Sequence, residues 1–259
     1  MITIDKLCYS SGLRYKSPFI KAGLAVGLLL ICVFARSIAL SLIILLLMGS
    51  LTVLVGKASL KRYWQLMLVP LAFLLLSTFA IAVNLSPMPL SSLAIPLGSL
   101  YITVSRAGVM QCLGLVSTAL AAVSCLYFLT LTTPLTDILL VLRRCKCPYL
   151  IIELMMLIYR FIFVLLELAS SLYRAQACRL GHKDLRTAWD SIGKLMAVLL
   201  LRAMQKSNRL YDAMESRCYN GVIRVLDEYI PAGKAESLGV IVILLFFLAL
   251  AIFFNINGF

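Results

Sequence analysis

The chain has 259 residues, 62% of them hydrophobic and 14% charged, with mean hydropathy +1.01 and a net charge of +13. Soluble domains carry roughly 25% charged residues, so this composition argues against a soluble core and for an integral membrane protein. It also removes the usual reason to read a basic chain as a nucleic-acid binder, because Lys and Arg gather at cytoplasmic ends of spans and beside anionic lipid.

Residues 1–16 are mixed and polar, with no short apolar stretch and small-residue cleavage pattern to mark a removable signal. The first span is predicted over 19–34 and the second over 38–55, with Arg36 the only charge between them. The basic patch Lys57, Lys61 and Arg62 then precedes a third apolar stretch over 66–85. Arg14, Lys16 and Lys21 precede or open the first span, so the positive-inside rule puts the N-terminus in the cytoplasm. Residues 86–105 are apolar but broken by Pro87, Pro89 and Pro96, which predicts an external or re-entrant segment rather than a regular span. A fourth span over 109–129 returns the chain to the inside. Thr133 is expected to cap a short amphipathic helix over 134–142, with Pro134 at its first position, ending in Arg143, Arg144 and Lys146.

The stretch 149–172 is apolar enough to cross a bilayer, yet basic residues flank both of its ends. Glu153, Arg160 and Glu167 recur every seven residues and so share one helix face. Three charges on one lipid-facing stripe are costly. A long helix packed on the others, or lying partly at the interface, is the reading; a crossing is the alternative.

Between 174 and 224 the chain carries ten Lys or Arg and four acids. Leu185, Trp189, Ile192, Met196, Leu199 and Leu200 fall at helical spacing, as do Leu210, Tyr211 and Met214, which predicts two or more amphipathic helices packed by one side. Such helices could lie on lipid headgroups, but Asp184, Asp190, Asp212 and Glu215 interrupt the basic face. Arg179 and Arg217 are each followed by a glycine, Gly181 and Gly221, where a helix is expected to end through positive φ. An arginine held at a rigid helix end offers a partner's pocket a planar five-donor fork. A last span is predicted over 239–254.

The eight cysteines are scattered; Cys145 and Cys147 have no second pair nearby, and the sole histidine, His182, lies in the basic insertion. Neither a zinc pattern, a cofactor motif nor an H-E-x-x-H signature is present, so the chain is expected to have no catalytic, cofactor or metal site of its own. The expected architecture is all-α: a polytopic membrane protein with about five transmembrane helices and cytoplasmic amphipathic helices. Residues 1–130 form a four-span region, 131–236 the polar helical region, and 237–259 the closing span.

Four stretches resemble a known family. They are Ser17-Pro18-Phe19-Ile20-Lys21; Thr133-Pro134-Leu135-Thr136-Asp137-Ile138, continuing from Leu142 to Pro148; Tyr159-Arg160-Phe161; and Tyr211-Asp212-Ala213-Met214-Glu215-Ser216-Arg217-Cys218-Tyr219-Asn220-Gly221. Together they resemble EcfT, the transmembrane scaffold subunit of energy-coupling factor transporters, and most closely its cobalt branch, CbiQ. The resemblance implies a non-catalytic subunit of an ATP-driven importer in the bacterial inner membrane. Its implied partners are a pair of CbiO-like ABC ATPase subunits, a CbiM-like substrate-binding membrane subunit, a small CbiN-like subunit and membrane lipid, with no nucleic acid. Cys178, Arg179 and Leu180, and Ser216, Arg217 and Cys218, stand where the family has alanine-arginine-glycine motifs seated in grooves of the ATPases. Pro134, Arg160, Gly181 and Gly221 take helix-packing and coupling roles on the same basis. The flanks of both arginines depart from the family's alanine and glycine. A nickel or vitamin scaffold, or a membrane-surface assembly or lipid-interacting protein, are the alternatives.

Overall fold

The computed structural model describes residues 8–9, 11–14, 16–35, 37–57, 59–82, 84–86, 94–97, 100–103, 106–221 and 233–256. Helices dominate them: α1 (Pro18–Ala35), α2 (Ile38–Ser50), α3 (Leu60–Ala82), α4 (Arg106–Thr132), α5 (Leu135–Arg144), α6 (Tyr149–Cys178), α7 (Leu185–Glu215) and α8 (Lys234–Ile256). Leu51–Val55 extend α2 by one wider π-helical turn.

Among the described residues, five helices are long and apolar enough to cross a membrane: α1, α2 with its π-turn, α4, α6 and α8. A further helix, α3, opens with Lys61 and Arg62 and is uncharged from Tyr63 to its end. The 30 residues of α6 reach about 45 Å at 1.5 Å each, beyond the ~30 Å hydrocarbon core. By length and composition α6 meets the requirement for the crossing that its basic flanks argue against.

The described residues divide into two compact units, one holding 8–141 with 233–256 and the other 142–221. In the first, Leu28, Cys32, Leu40, Ile44, Met48, Cys125, Phe128 and Phe247 from α1, α2, α4 and α8 form the core. Lipid offers little hydrophobic drive between apolar helices, so close approach and polar links hold such a core. A Cβ on Gly27 of α1 would lie 2.5 Å from Leu244 of α8, which shows how near the two helices come. Ser41 of α2 bridges Cys32 Sγ at 3.5 Å and Thr118 Oγ1 of α4 at 3.3 Å.

The segment expected to be external or re-entrant rather than a regular span contains three short antiparallel strands, β1 (Asn84–Ser86), β2 (Ala94–Leu97) and β3 (Leu100–Thr103), in the order β1-β3-β2. Pro96 lies in β2, an edge strand, where a missing N–H is tolerated. Pro87 and Pro89, like Arg36, lie outside the described residues.

In the second unit, α6 and α7 form a helical hairpin. The two or more helices expected between 173 and 228 are one continuous helix of 31 residues from Leu185 to Glu215. No proline breaks it, and the segment is rich in Ala, Leu, Met, Lys and Arg, strong helix formers. Nor is its apolar stripe covered within this unit by the described residues. Ser191 and Leu195 are buried, whereas Leu185 and Trp189 are 83% and 74% exposed and Met196 and Leu200 are exposed with them.

Candidate functional site

The two arginines singled out in the sequence sit at helix ends built alike. At the end of α6, Leu180 N–H donates to Ala177 O at 3.0 Å and Gly181 N–H to Gln176 O at 2.9 Å. At the end of α7, Cys218 N–H donates to Glu215 O at 3.0 Å and Tyr219 N–H to Met214 O at 3.1 Å. Each is a Schellman closure, a crossed pair of backbone hydrogen bonds that satisfies the last carbonyls of a helix. Arg179 and Arg217 each immediately precede the residue that reverses the backbone, and both side chains are exposed.

The reversing residue differs from expectation. Positive φ falls on Leu180 (58°) and Cys218 (57°), and Gly181 is not among the positive-φ residues. Gly221 has φ 84°, but it lies three residues past Cys218 and does not close α7. The hydrogen-bond ring fixes which residue turns, and glycine is only its preferred occupant; a non-glycine there costs about 1–2 kcal/mol. The end of α5 repeats the device without an arginine at the turn: Lys146 has φ 61°, and Cys147 N–H donates to Leu142 O at 3.2 Å.

Gly181 serves close packing instead. Its carbonyl accepts from Ser191 Oγ at 2.8 Å, and Gln176 Nε2 donates to Ser191 O at 2.9 Å. A Cβ on Gly181 would lie 2.9 Å from both Gln176 O and Ser191 Oγ. Tyr173 stacks on His182 with ring centroids 4.4 Å apart over the same turn. These contacts lock the hairpin where α6 meets α7.

The other end of the hairpin is fastened by a pair that composition and spacing did not reveal. Tyr219, two residues after Arg217, donates its hydroxyl to the carboxylate of Glu153 near the start of α6. Glu153 is only 6% exposed. This bond pushes the Tyr219 hydroxyl up from 10.0 to about 12, with desolvation adding to it, because a neighbouring carboxylate disfavours phenolate. The link spans 66 residues of sequence, and no local pattern announces it. Arg160 is exposed on the middle of α6, beside the edge-on ring pair Tyr159 and Phe163, whose centroids are 5.0 Å apart.

Within the first unit, the Thr133-Pro134 motif sits at the junction of α4 and α5. Pro134 is one position earlier than expected: its carbonyl accepts from Asp137 N–H at 3.1 Å and Ile138 N–H at 3.2 Å, so it caps the helix, which begins at Leu135. Thr133 still belongs to the end of α4, donating its N–H to Leu129 O at 3.0 Å. Sequence reading took Lys21 as a topology marker, but the structure buries it to 4% exposure. Its ammonium donates to Thr132 O at 3.1 Å and Leu13 O at 3.2 Å, tying the start of α1 to the end of α4. A lone cation just inside a predicted span was the available signal, since such a group must find buried acceptors.

Among the described residues, no group of three or more His, Cys, Asp or Glu side chains could hold a metal ion. Exposed Cys178 and Cys218 flank the two arginines and are free thiols.

These helices define a helical, multi-pass membrane protein. Residues 10–229 match the model of CbiQ, the cobalt transport protein family, and the chain belongs to that family. A CbiQ cobalt transport protein of Rhodobacter capsulatus is 31% identical over 93% of this chain and 94% of its own length. An uncharacterized protein of Methanocaldococcus jannaschii is 34% identical over 86% of this chain and 82% of its own. A fused cobalt transport protein of Methanocorpusculum labreanum, CbiMQ, is 29% identical over 94% of this chain and 40% of its own length.

Proposed function

We propose that the chain is the scaffold subunit of an energy-coupling factor importer for cobalt ions, passing ATP-driven motion from two ATPase subunits to a substrate-binding membrane subunit. The observation that carries this reading is the pair of exposed arginines, Arg179 and Arg217, on identically closed ends of one fastened hairpin. Between them stands α7, whose 31 residues extend about 46 Å, enough to separate two docking points onto two subunits.

In this mechanism ATP binding draws the ATPases together, and each carries one arginine-tipped helix end in a groove. A guanidinium suits such a groove because its fork can engage several acceptors at once. The closures hold each arginine at a fixed angle to its helix, so displacement passes to the helices rather than into a slack side chain. Region 131–236 is the coupling part, with 1–130 and 237–259 as its membrane frame. The basic residues support a cytoplasmic side for the coupling region and the N-terminus. The exposed row of Leu185, Trp189, Met196 and Leu200 suits a further apolar partner surface. The CbiMQ fusion supports a CbiM-type subunit as that partner, and cobalt is cargo held there.

Affinity purification of the chain in mild detergent from its own host tests the reading. It should recover an ATP-binding subunit and a second polytopic membrane subunit. Recovery of the chain without an ATP-binding subunit, under conditions that keep it folded, contradicts it.

A further inference from the structure

Between the two fastenings, Ser191 with Gln176 and Gly181 at one end and Tyr219 with Glu153 at the other, the middles of α6 and α7 line an open cavity of about 940 Å³. Its charges are one-sided. Arg160 and Arg174 come from one face of α6, and Arg202, Lys206 and Arg209 from one face of α7, against a single carboxylate, Glu167. Among the described residues, none of these six side chains makes an ion pair within 4.0 Å. Beside the cations the wall is apolar, formed by Phe161, Leu165 and Leu168 of α6.

We infer that this cavity binds an anionic phospholipid, its phosphate held by Arg202, Lys206 and Arg209 and its acyl region lying along Phe161, Leu165 and Leu168. Arg202, Lys206 and Arg209 follow one another at four and three residues, so they share a stripe and converge on one site. Guanidinium groups bind phosphate oxygens in pairs, and the unmatched positive charge favours an anion. A free phosphate would leave the apolar wall unused. An acidic soluble segment fits it less well than an acyl chain does, because that wall continues the bilayer-grade apolar surface of α6. The site is separate from the arginine-tipped ends and does not depend on ATPase docking.

The test uses the full chain, purified and stripped of lipid by prolonged detergent washing, then titrated with phosphatidylglycerol or phosphatidylcholine and read by native mass spectrometry. The wild type should prefer phosphatidylglycerol by at least about 10-fold. With three cations removed, the variant R202Q/K206Q/R209Q should lose affinity for it on the order of 100-fold, with phosphatidylcholine unaffected. The control K57Q/K61Q/R62Q, equal in charge change but outside the cavity, should keep the preference. Thermal melting checks that the variants fold; if the triple variant does not, Arg209→Gln alone should weaken binding about 5-fold. Wild-type phosphatidylglycerol affinity in the folded cavity variant overturns the inference. So does complete displacement of the lipid by equimolar inorganic phosphate, or an acidic protein segment found in the cavity in place of lipid.

Discussion

Leu180 and Cys218 hold backbone angles that L-residues seldom adopt, and they do so beside the two arginines on which the functional reading rests. The strain of about 1–2 kcal/mol per position is relieved by glycine, less part of the entropy glycine adds to the unfolded chain. Leu180→Gly should therefore raise stability by about 1 kcal/mol in chemical unfolding, with no loss of helix content; destabilisation would show that the leucine side chain matters more than its backbone. Tyr219 gives a second expectation. A tyrosine ionises near 10.0 when unfolded and at about 12 here, so its bond to Glu153 is intact below pH 10 and is lost as pH rises through about 12. Ring-labelled tyrosine NMR should find that midpoint near 12, and Glu153→Gln should move it back towards 10.0. An unmoved midpoint would rule out the bond. For Lys21, replacement by Met takes the ammonium from the Thr132 carbonyl and from Leu13 O, which keeps the Lys16 N–H at 3.1 Å, and should cost about 1–3 kcal/mol, seen as a lower melting temperature.

At the scale of elements, the hairpin turn is the most exacting part of the structure. Gly181→Ala forces a Cβ to within 2.9 Å of a backbone oxygen, so the turn must shift. We expect destabilisation of about 1–3 kcal/mol and faster hydrogen exchange at the amides of 179–184, while α1 and α2 exchange as before. Unchanged exchange in the turn would mean that the close approach does not constrain it. The element scale also shows what could be read from sequence. Long uncharged runs are legible as helices because nothing else satisfies a backbone in lipid, and α1, α2, α4 and α8 were placed to within a few residues. The strands between 84 and 103 were not legible, since three or four residues among prolines carry no readable period. The continuity of α7 was missed because its two apolar clusters, 185–200 and 210–214, are separated by a mostly polar stretch, although both fall on one helical face over 31 residues. At the site, the arginines could be picked out as cations near glycine. The reversing residues could not, because backbone hydrogen bonds choose them. Glu153 and Tyr219 are partnered only once the hairpin has formed.

For the molecule as a whole, membership of the CbiQ cobalt transport protein family agrees with the greasy composition and the asymmetric charge. The chain joins two kinds of surface. One unit buries a helical core of its own, and the other leaves a hairpin with exposed apolar and basic faces. A hairpin fastened at both ends and bare along its length is suited to transmitting force between partners, because it moves as a body rather than bending at its tips. In the proposed function, Arg179 and Arg217 are the points where the ATPases hold it. Direct measurement of the affinity of the detergent-solubilised chain for its nucleotide-binding subunits, comparing wild type with Arg179→Ala and Arg217→Ala, tests that most directly. Each substitution should weaken binding by about 2–5 kcal/mol, the cost of losing one member of a buried charged contact. Affinity equal to wild type in both folded variants would contradict the account.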